Sequence, residues 1–172
     1  VHVSGSEWKE VHRGPAMIAI VQATNGRLAA VHRTWIDPDR PGKKIELEHD
    51  GKPLDTKKSR GSIKGGAIRL SPHACSQTGF TTLVMAEGIE TTLSAMVADP
   101  IPGAAYWSGV SLGNMAGKRI LRGEGMRYAG VPNLDDPDGF IPPPWVTRLV
   151  FVQDGDSEPR WTRAQLMAGL RR

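Results

Sequence analysis

The chain has 172 residues, with 22 Lys and Arg against 18 Asp and Glu, a formal net charge of +4, 39% hydrophobic residues and one cysteine. That is the length of one domain, or of one domain with a small companion, and enough apolar content for a core. The lone Cys75 excludes an intramolecular disulfide and a Cys-built zinc or redox pair, which points to a reducing cytoplasm. No run of about 18 apolar residues exists and the stretch Val1–Pro15 is polar, so neither a membrane-spanning helix nor a secretion signal is expected. Because the sequence opens on Val1 rather than Met, a fragment of a longer protein is expected. Charge is unevenly spread: residues 1–82 carry 13 basic and 8 acidic side chains and all five histidines, whereas residues 83–172 carry 9 basic and 10 acidic. A basic segment beside an acidic one suits a protein that handles a polyanion with metal ions, and it also occurs on inert surfaces.

After a polar lead-in over residues 1–15, Met17–Gln22 and Arg27–Ile36 read as strands around Ala23-Thr24-Asn25-Gly26, and the Asn-Gly pair predicts a hairpin. Asp37–Gly42 is a turn. Ile45–His49 alternates apolar with charged residues before a turn at Asp50-Gly51, residues 52–65 read as a polar, Lys-rich loop, and Gly66–Leu70 as a short closing strand. Residues 16–80 are thus expected to form a small antiparallel, basic β subdomain. From residue 81 the texture changes. Thr82–Ala86 is an apolar strand ending in Glu87-Gly88, and Ile89–Ala98 has helical apolar spacing. Gly103–Trp107 is a second strand, Leu112–Ala116 a short helix, Arg148–Gln153 a third strand and Trp161–Leu170 a final amphipathic helix. Alternating strands and helices with continuously apolar strands predict a parallel sheet covered on both faces over residues 81–172. The Gly-, Pro- and Asp-rich stretch from Lys118 to Trp145 has no predicted place.

Ligands of open α/β sheets bind beyond the carboxyl ends of the strands. Glu87 follows the first of these strands, and Asp154-Gly155-Asp156 follows the third. On an extended chain residues two apart point the same way, so Asp154 and Asp156 can converge. If their strands are neighbours about 5 Å apart, Glu87 comes within reach. An oxygen-only ligand set favours Mg²⁺, or Mn²⁺, over Zn²⁺. The competing reading of the same residues is a solvated turn at 154–158 and an acidic helix start at Glu87.

The segment Leu83-Val-Met-Ala-Glu87-Gly88-Ile-Glu90-Thr-Thr-Leu-Ser, followed about 65 residues later by Leu149-Val-Phe-Val-Gln-Asp154-Gly-Asp156, resembles the Toprim domain of DnaG-type primases, topoisomerases and certain nucleases. The wording Glu-Gly-Ile-Glu-Thr, with Ala30-Val-His32-Arg33-Thr34-Trp and Gly66-Ala-Ile-Arg69-Leu upstream, is most similar to Toprim primases of phages and mobile elements, over residues 16–172. The resemblance implies that Glu87 is a metal ligand or general acid/base, that Asp154 and Asp156 hold Mg²⁺, and that Glu90 and Glu158 are accessory acids. It also implies that Arg33, Lys43, Lys44, Lys57, Lys58, Arg60 and Lys64 contact template or nucleotide; loops are rich in lysine for solubility as well. The implied activity is Mg²⁺-dependent synthesis of RNA primers on a single-stranded DNA template from nucleoside triphosphates. A zinc-binding domain and a helicase, in cis or in trans, would be its partners. Ser157-Glu158-Pro159 departs from the glycine that follows the Asp-x-Asp of many relatives, and 16 residues after Asp156 imply a sheet truncated at its C-terminal end. The alternatives are a Toprim nuclease and a non-catalytic nucleic-acid-binding module. Gly109-Val-Ser111-Leu-Gly113 matches the nucleophile elbow of an α/β-hydrolase, but no histidine follows it to serve as base in the order that fold requires, so Ser111 reads as part of a Gly-Ser turn lining the cleft. The Asp-x-Asp lies too near the C-terminus for a haloacid-dehalogenase phosphatase, and Pro159 stands where an EF-hand needs glycine.

Overall fold

Residues 2–4, 7–71 and 82–172 are described by the computed structural model; Cys75 and His73 lie outside them. The lead-in holds two short strands, β1 (His2–Ser4) and β2 (Glu7–Trp8), paired antiparallel through His2↔Trp8 and Ser4↔Glu7. The predicted hairpin is β3 (Ala16–Gln22) and β4 (Leu28–Trp35). Its turn closes through the Gly26 and Ala23 amides, which donate to the Ala23 and Arg27 carbonyls at 2.8 and 2.9 Å, with Gly26 at φ +81°.

The stretch 52–65, expected as a loop, contains β6 (Lys52–Leu54) and β7 (Lys57–Gly61). β6 pairs with β5 (Leu47–His49) across Asp50 and Gly51, both at positive φ, as a tight Asp-Gly hairpin turn requires. β7 gives no hydrophobic signal because every one of its residues is exposed. Its backbone pairing makes it a strand, and lysines suit an edge strand that must not recruit another.

β8 (Ala67–Arg69) leads to β9 (Thr82–Ala86), α1 (Ile89–Ala98), β10 (Ala104–Ser108), α2 (Leu112–Ala116), α3 (Met126–Ala129), β11 (Arg148–Val152) and α4 (Pro159–Leu170). Seven strands form one mixed sheet in the order β11-β9-β10-β8-β3-β4-β7. Its core is parallel: β9 pairs in register with β10 on one side and with β11 on the other, Ala86 opposite both Ser108 and Val152. β8 runs antiparallel to β10 through Arg69↔Trp107. The antiparallel strands therefore do not make a sheet of their own, as their hairpin pattern suggested, because β8 joins the edge of β10.

The period-2 alternation of the parallel strands sorts their side chains into two layers. Leu83, Met85, Ala105 and Trp107 pack with Met115 of α2 and Leu166 of α4, whereas Val84, Ala104 and Tyr106 pack with Met96 of α1. α1 thus covers one face, and α2 with α4 covers the other. Strands buried on both faces read as unbroken apolar runs, and β9 and β10 are buried along their whole length. The unplaced stretch 118–145 completes the α2/α4 layer. Phe140 and Trp145 meet Trp107 edge-on at centroid distances of 6.2 and 5.9 Å.

Helix ends follow local chemistry. α1 stops at Asp99-Pro100, where the residue before a proline leaves the helical region. α4 begins with Pro159 at its first turn behind Glu158. Gly117, just past α2, has φ +66°, and a Cβ there would come within 2.3 Å of the Arg172 guanidinium. The chain divides into two compact units, Val1–Ala19 with Val31–Gly61 and Ile20–Ala30 with Ser62–Arg172. Among the described residues no helix is long and apolar enough to cross a membrane.

Candidate functional site at the carboxyl ends of the parallel strands

β9 and β11 are hydrogen-bonded neighbours that end together, and the helices that follow them, α1 and α4, leave to opposite faces of the sheet. Adjacent parallel strands whose connections diverge in this way leave a crevice beyond their carboxyl ends, the usual ligand position in an open α/β sheet. Glu87 and Asp154 stand at that crevice, one from each strand.

The Glu87-Gly88 turn is fixed by side chains from elsewhere. Ser108 Oγ donates to the Glu87 carbonyl at 2.8 Å, and Thr92 Oγ1 donates to the Gly88 carbonyl at 2.8 Å. Glu87 is half-buried, and Glu90 is exposed in the first turn of α1, where an acid complements the helix dipole. Beyond β11 the chain leaves the extended conformation at once. Ser157 Oγ donates to the Asp154 carbonyl at 2.8 Å and closes a turn over residues 154–157. That turn defeats the two-apart rule that would have aimed Asp154 and Asp156 together. Asp154 is half-buried and Asp156 exposed. The Glu158 carboxylate accepts the Arg160 and Trp161 amides as N-cap of α4, a structural duty.

Asp154 Oδ1 is buried with no hydrogen-bond partner among the described residues. A carboxylate oxygen deprived of water and donors is costly unless a cation or a ligand serves it. Among the described residues no group of three or more His, Cys, Asp or Glu could hold a metal ion, so Glu87, Asp154 and Asp156 do not form a three-carboxylate cage. Mg²⁺ does not demand one, since it is commonly held by one or two carboxylates with water and substrate phosphates completing the shell. Asp154 fits as such a ligand.

The loop after β10 is the other anchored feature of this edge. Val110 has φ +70°, a strained conformation for a β-branched residue. Asn114 holds the loop there. Its Nδ2 donates to the carbonyls of Gly66 and Gly109 at 2.8 and 2.9 Å, and its Oδ1 accepts the Gly65 amide at 2.8 Å. Ser111, the candidate nucleophile of the excluded hydrolase reading, is the N-cap of α2 and accepts the Asn114 amide at 3.2 Å. Sequence reasoning missed Asn114, although a serine three residues before it is the N-cap spacing that signals it.

The basic residues separate. Lys64 belongs to the second unit, where it pairs with Asp138 at 2.7 Å, and that carboxylate raises its pKa. Arg33, Lys43, Lys44, Lys57, Lys58 and Arg60 belong to the first. All of these but the half-buried Arg33 are exposed. Arg33 lies over the Trp35 ring at 4.4 Å, His12 meets the same ring edge-on at 4.7 Å, and these three with Lys58 line a cavity of about 560 Å³.

A family model described as "Domain of unknown function (DUF7146)" matches residues 1–70. No curated protein and no solved structure matches the chain. The matched stretch runs from the start of the chain through β8 and stops before β9, so Glu87, Asp154 and Asp156 lie outside it.

Proposed function

We propose that the chain is a Toprim-type nucleotidyltransferase of the primase kind, which builds a short RNA on single-stranded DNA as part of a longer protein. The observation that carries this reading is Asp154 Oδ1, buried and without a hydrogen-bond partner among the described residues, where β11 ends beside β9. In the reaction the 3′-hydroxyl of the growing strand attacks the α-phosphate of a nucleoside triphosphate. The new O3′–Pα bond forms as the bond to the β-phosphate oxygen breaks, and pyrophosphate leaves. Bound Mg²⁺, or Mn²⁺, would neutralise phosphate charge there, with Asp154 as its ligand and Glu87, from the neighbouring strand end, as the second carboxylate. Asp154 sets where the triphosphate rests, and the Ser108 and Thr92 hydroxyls hold the Glu87-Gly88 turn that walls the crevice. The exposed cations of β7 would track the template backbone, and the Trp35 ring under Arg33 would offer a stacking surface.

The test incubates the chain, within its full-length protein, with single-stranded DNA, ribonucleoside triphosphates and Mg²⁺. Extension products are expected. DNA fragments would mean the nuclease instead, and a salt-sensitive gel shift without products would mean a binding module. Asp154→Asn should abolish synthesis and weaken Mn²⁺ binding measured by electron paramagnetic resonance. Wild-type synthesis by this variant would remove Asp154 from the site.

A further inference from the structure

We infer that the cavity between α2, α4 and the loops at residues 63–64, 117–121 and 136–138 is a second ligand site, built for a nucleoside monophosphate. The cavity is about 550 Å³, within the size range of small-molecule sites. It lies within the second unit, and none of Glu87, Asp154 and Asp156 lines it.

Its wall carries an unbalanced charge. The carboxylates are matched one for one: Lys64 Nζ meets Asp138 Oδ2 at 2.7 Å, and Lys118 Nζ lies 3.6 Å from Asp136 Oδ1. Asp136, its side chain only 1% exposed, also accepts the Lys118 amide at 2.6 Å. Arg119 is left over. It has no carboxylate partner among the described residues; its guanidinium rests 4.1 Å from the Trp161 ring centroid, and Nη1 donates to the Arg127 carbonyl at 2.9 Å. Nη2 is buried with no hydrogen-bond partner among the described residues, and burial pulls the guanidinium pKa down, the mark of a cation short of neutralisation. Gln165 Oε1, from the α4 wall, is likewise buried and accepts no hydrogen bond from the described residues.

The wall therefore offers one uncompensated cationic donor and one unused acceptor beside an indole and the apolar side chain of Leu121. A matching ligand needs an anionic group for Arg119, an N–H donor for Gln165 and a flat, weakly polar body to lie along Trp161 and Leu121. A nucleoside monophosphate has all three. Inorganic phosphate has only the first, and a nucleoside lacks it. Both Arg119 and Gln165 are half-exposed side chains, so rotation of their terminal torsions brings the unpaired atoms to the ligand. Each then exchanges an unmet buried group for a hydrogen bond.

The test is equilibrium dialysis of the chain against labelled AMP, GMP, CMP and UMP in EDTA. At least one should bind once per chain, and unlabelled nucleotide should displace it at least about tenfold better than inorganic phosphate or the nucleoside does. Arg119→Met should weaken binding about tenfold or more, and Gln165→Leu should weaken it too, with far-ultraviolet circular dichroism reporting that each variant is folded. Gln165→Leu carries the test should Arg119→Met not fold. Asp154→Asn should bind as the wild type does. The inference is overturned if no nucleotide binds, if phosphate competes as well as the nucleotide, or if the folded variants keep wild-type affinity. Because the measurement uses no metal, template or triphosphate, nucleotide binding without primer synthesis upholds this site and removes only the proposed activity.

Discussion

β10 and β7 are strands of the same length in one sheet, yet every residue of Ala104–Ser108 is buried and every residue of Lys57–Gly61 is exposed. The first is held by side chains packed on both faces, the second by backbone pairing and exposed polar contacts such as that of the Ser59 hydroxyl with His32 Nδ1 at 2.9 Å. The difference divides the labour of the molecule. A strand that gains its stability from packing can fix the position of the group just past its neighbour's end, as Ser108 of β10 fixes Glu87 beyond β9. A strand whose residues are all exposed presents its charge at the surface, and a change in that charge costs the fold little.

The largest effect that would test this contrast is truncation of Trp107, which is fully buried against Phe140 and Trp145. Trp107→Ala should cost about 4 kcal/mol through lost burial and the cavity left behind. Urea unfolding, followed by far-ultraviolet circular dichroism, measures it. A cost below about 1 kcal/mol would show that the parallel core is not what holds the second unit together. Next in size is Asn114→Ala, expected to cost about 3 kcal/mol, because the Gly65 amide and the Gly66 and Gly109 carbonyls lose their partner together. Asn114→Asp should recover none of this loss: its carboxylate still accepts the Gly65 amide, but it sets a buried, negatively charged oxygen against the Gly66 and Gly109 carbonyls.

This contrast also explains what could be read in advance. β9, β10, α1 and α2 were visible because strands buried on both faces are continuously apolar and helix faces repeat at 3.6 residues, so burial writes itself into the pattern. β7 was invisible for the converse reason: Lys57, Lys58, Ser59 and Arg60 bury nothing and leave no periodic trace. The adjacency of β9 and β11, on which any meeting of Glu87 and Asp154 depends, was only a condition in the sequence, because strand order is decided by long-range pairing. The turn at 154–157 rests on one Ser157 hydroxyl bond, a local detail that overrides strand periodicity. Asp136 lay in a stretch with no periodicity at all. Its burial comes from the Lys118 amide and the closing of the chain around α2.

Acid brings out a subtler difference between the units. Asp37 has its pKa lowered chiefly by the Arg40 guanidinium, which donates to it at 2.6 Å from a half-exposed side chain. Asp136 has its pKa lowered chiefly by the Lys118 backbone amide, against the opposing effect of its own burial. A depressed carboxylate contributes stability that is full above the ordinary carboxylate range, about pH 4, and is lost as pH falls through the native pKa. Both residues should therefore add to acid lability below about pH 4, and Asp37→Asn or Asp136→Asn should flatten that part of the pH profile. Salt separates them. The share owed to Asp37 and Arg40 should shrink at about 1 M NaCl, where the screening length is near 3 Å, while the share owed to the Asp136 amide bond should persist. Equal salt sensitivity would mean that Asp136 is held by Lys118 Nζ rather than by the amide.

The smallest stability effect is expected at Lys58, exposed on β7 and lining the cavity beside Trp35. Lys58→Ala should change unfolding free energy by less than about 0.5 kcal/mol, because nothing packed or buried is lost. If β7 tracks a phosphate backbone, the same substitution should weaken single-stranded DNA binding uniformly across sequences. It should also reduce the slope of log affinity against log salt by about 0.7, the value for one phosphate contact on a single strand. Fluorescence anisotropy between about 50 and 200 mM salt gives that slope directly. An unchanged slope with unchanged stability would leave the lysines of β7 as protection of an open sheet edge. A changed slope would show that an edge too exposed to support the fold is the part left free to meet a polyanion.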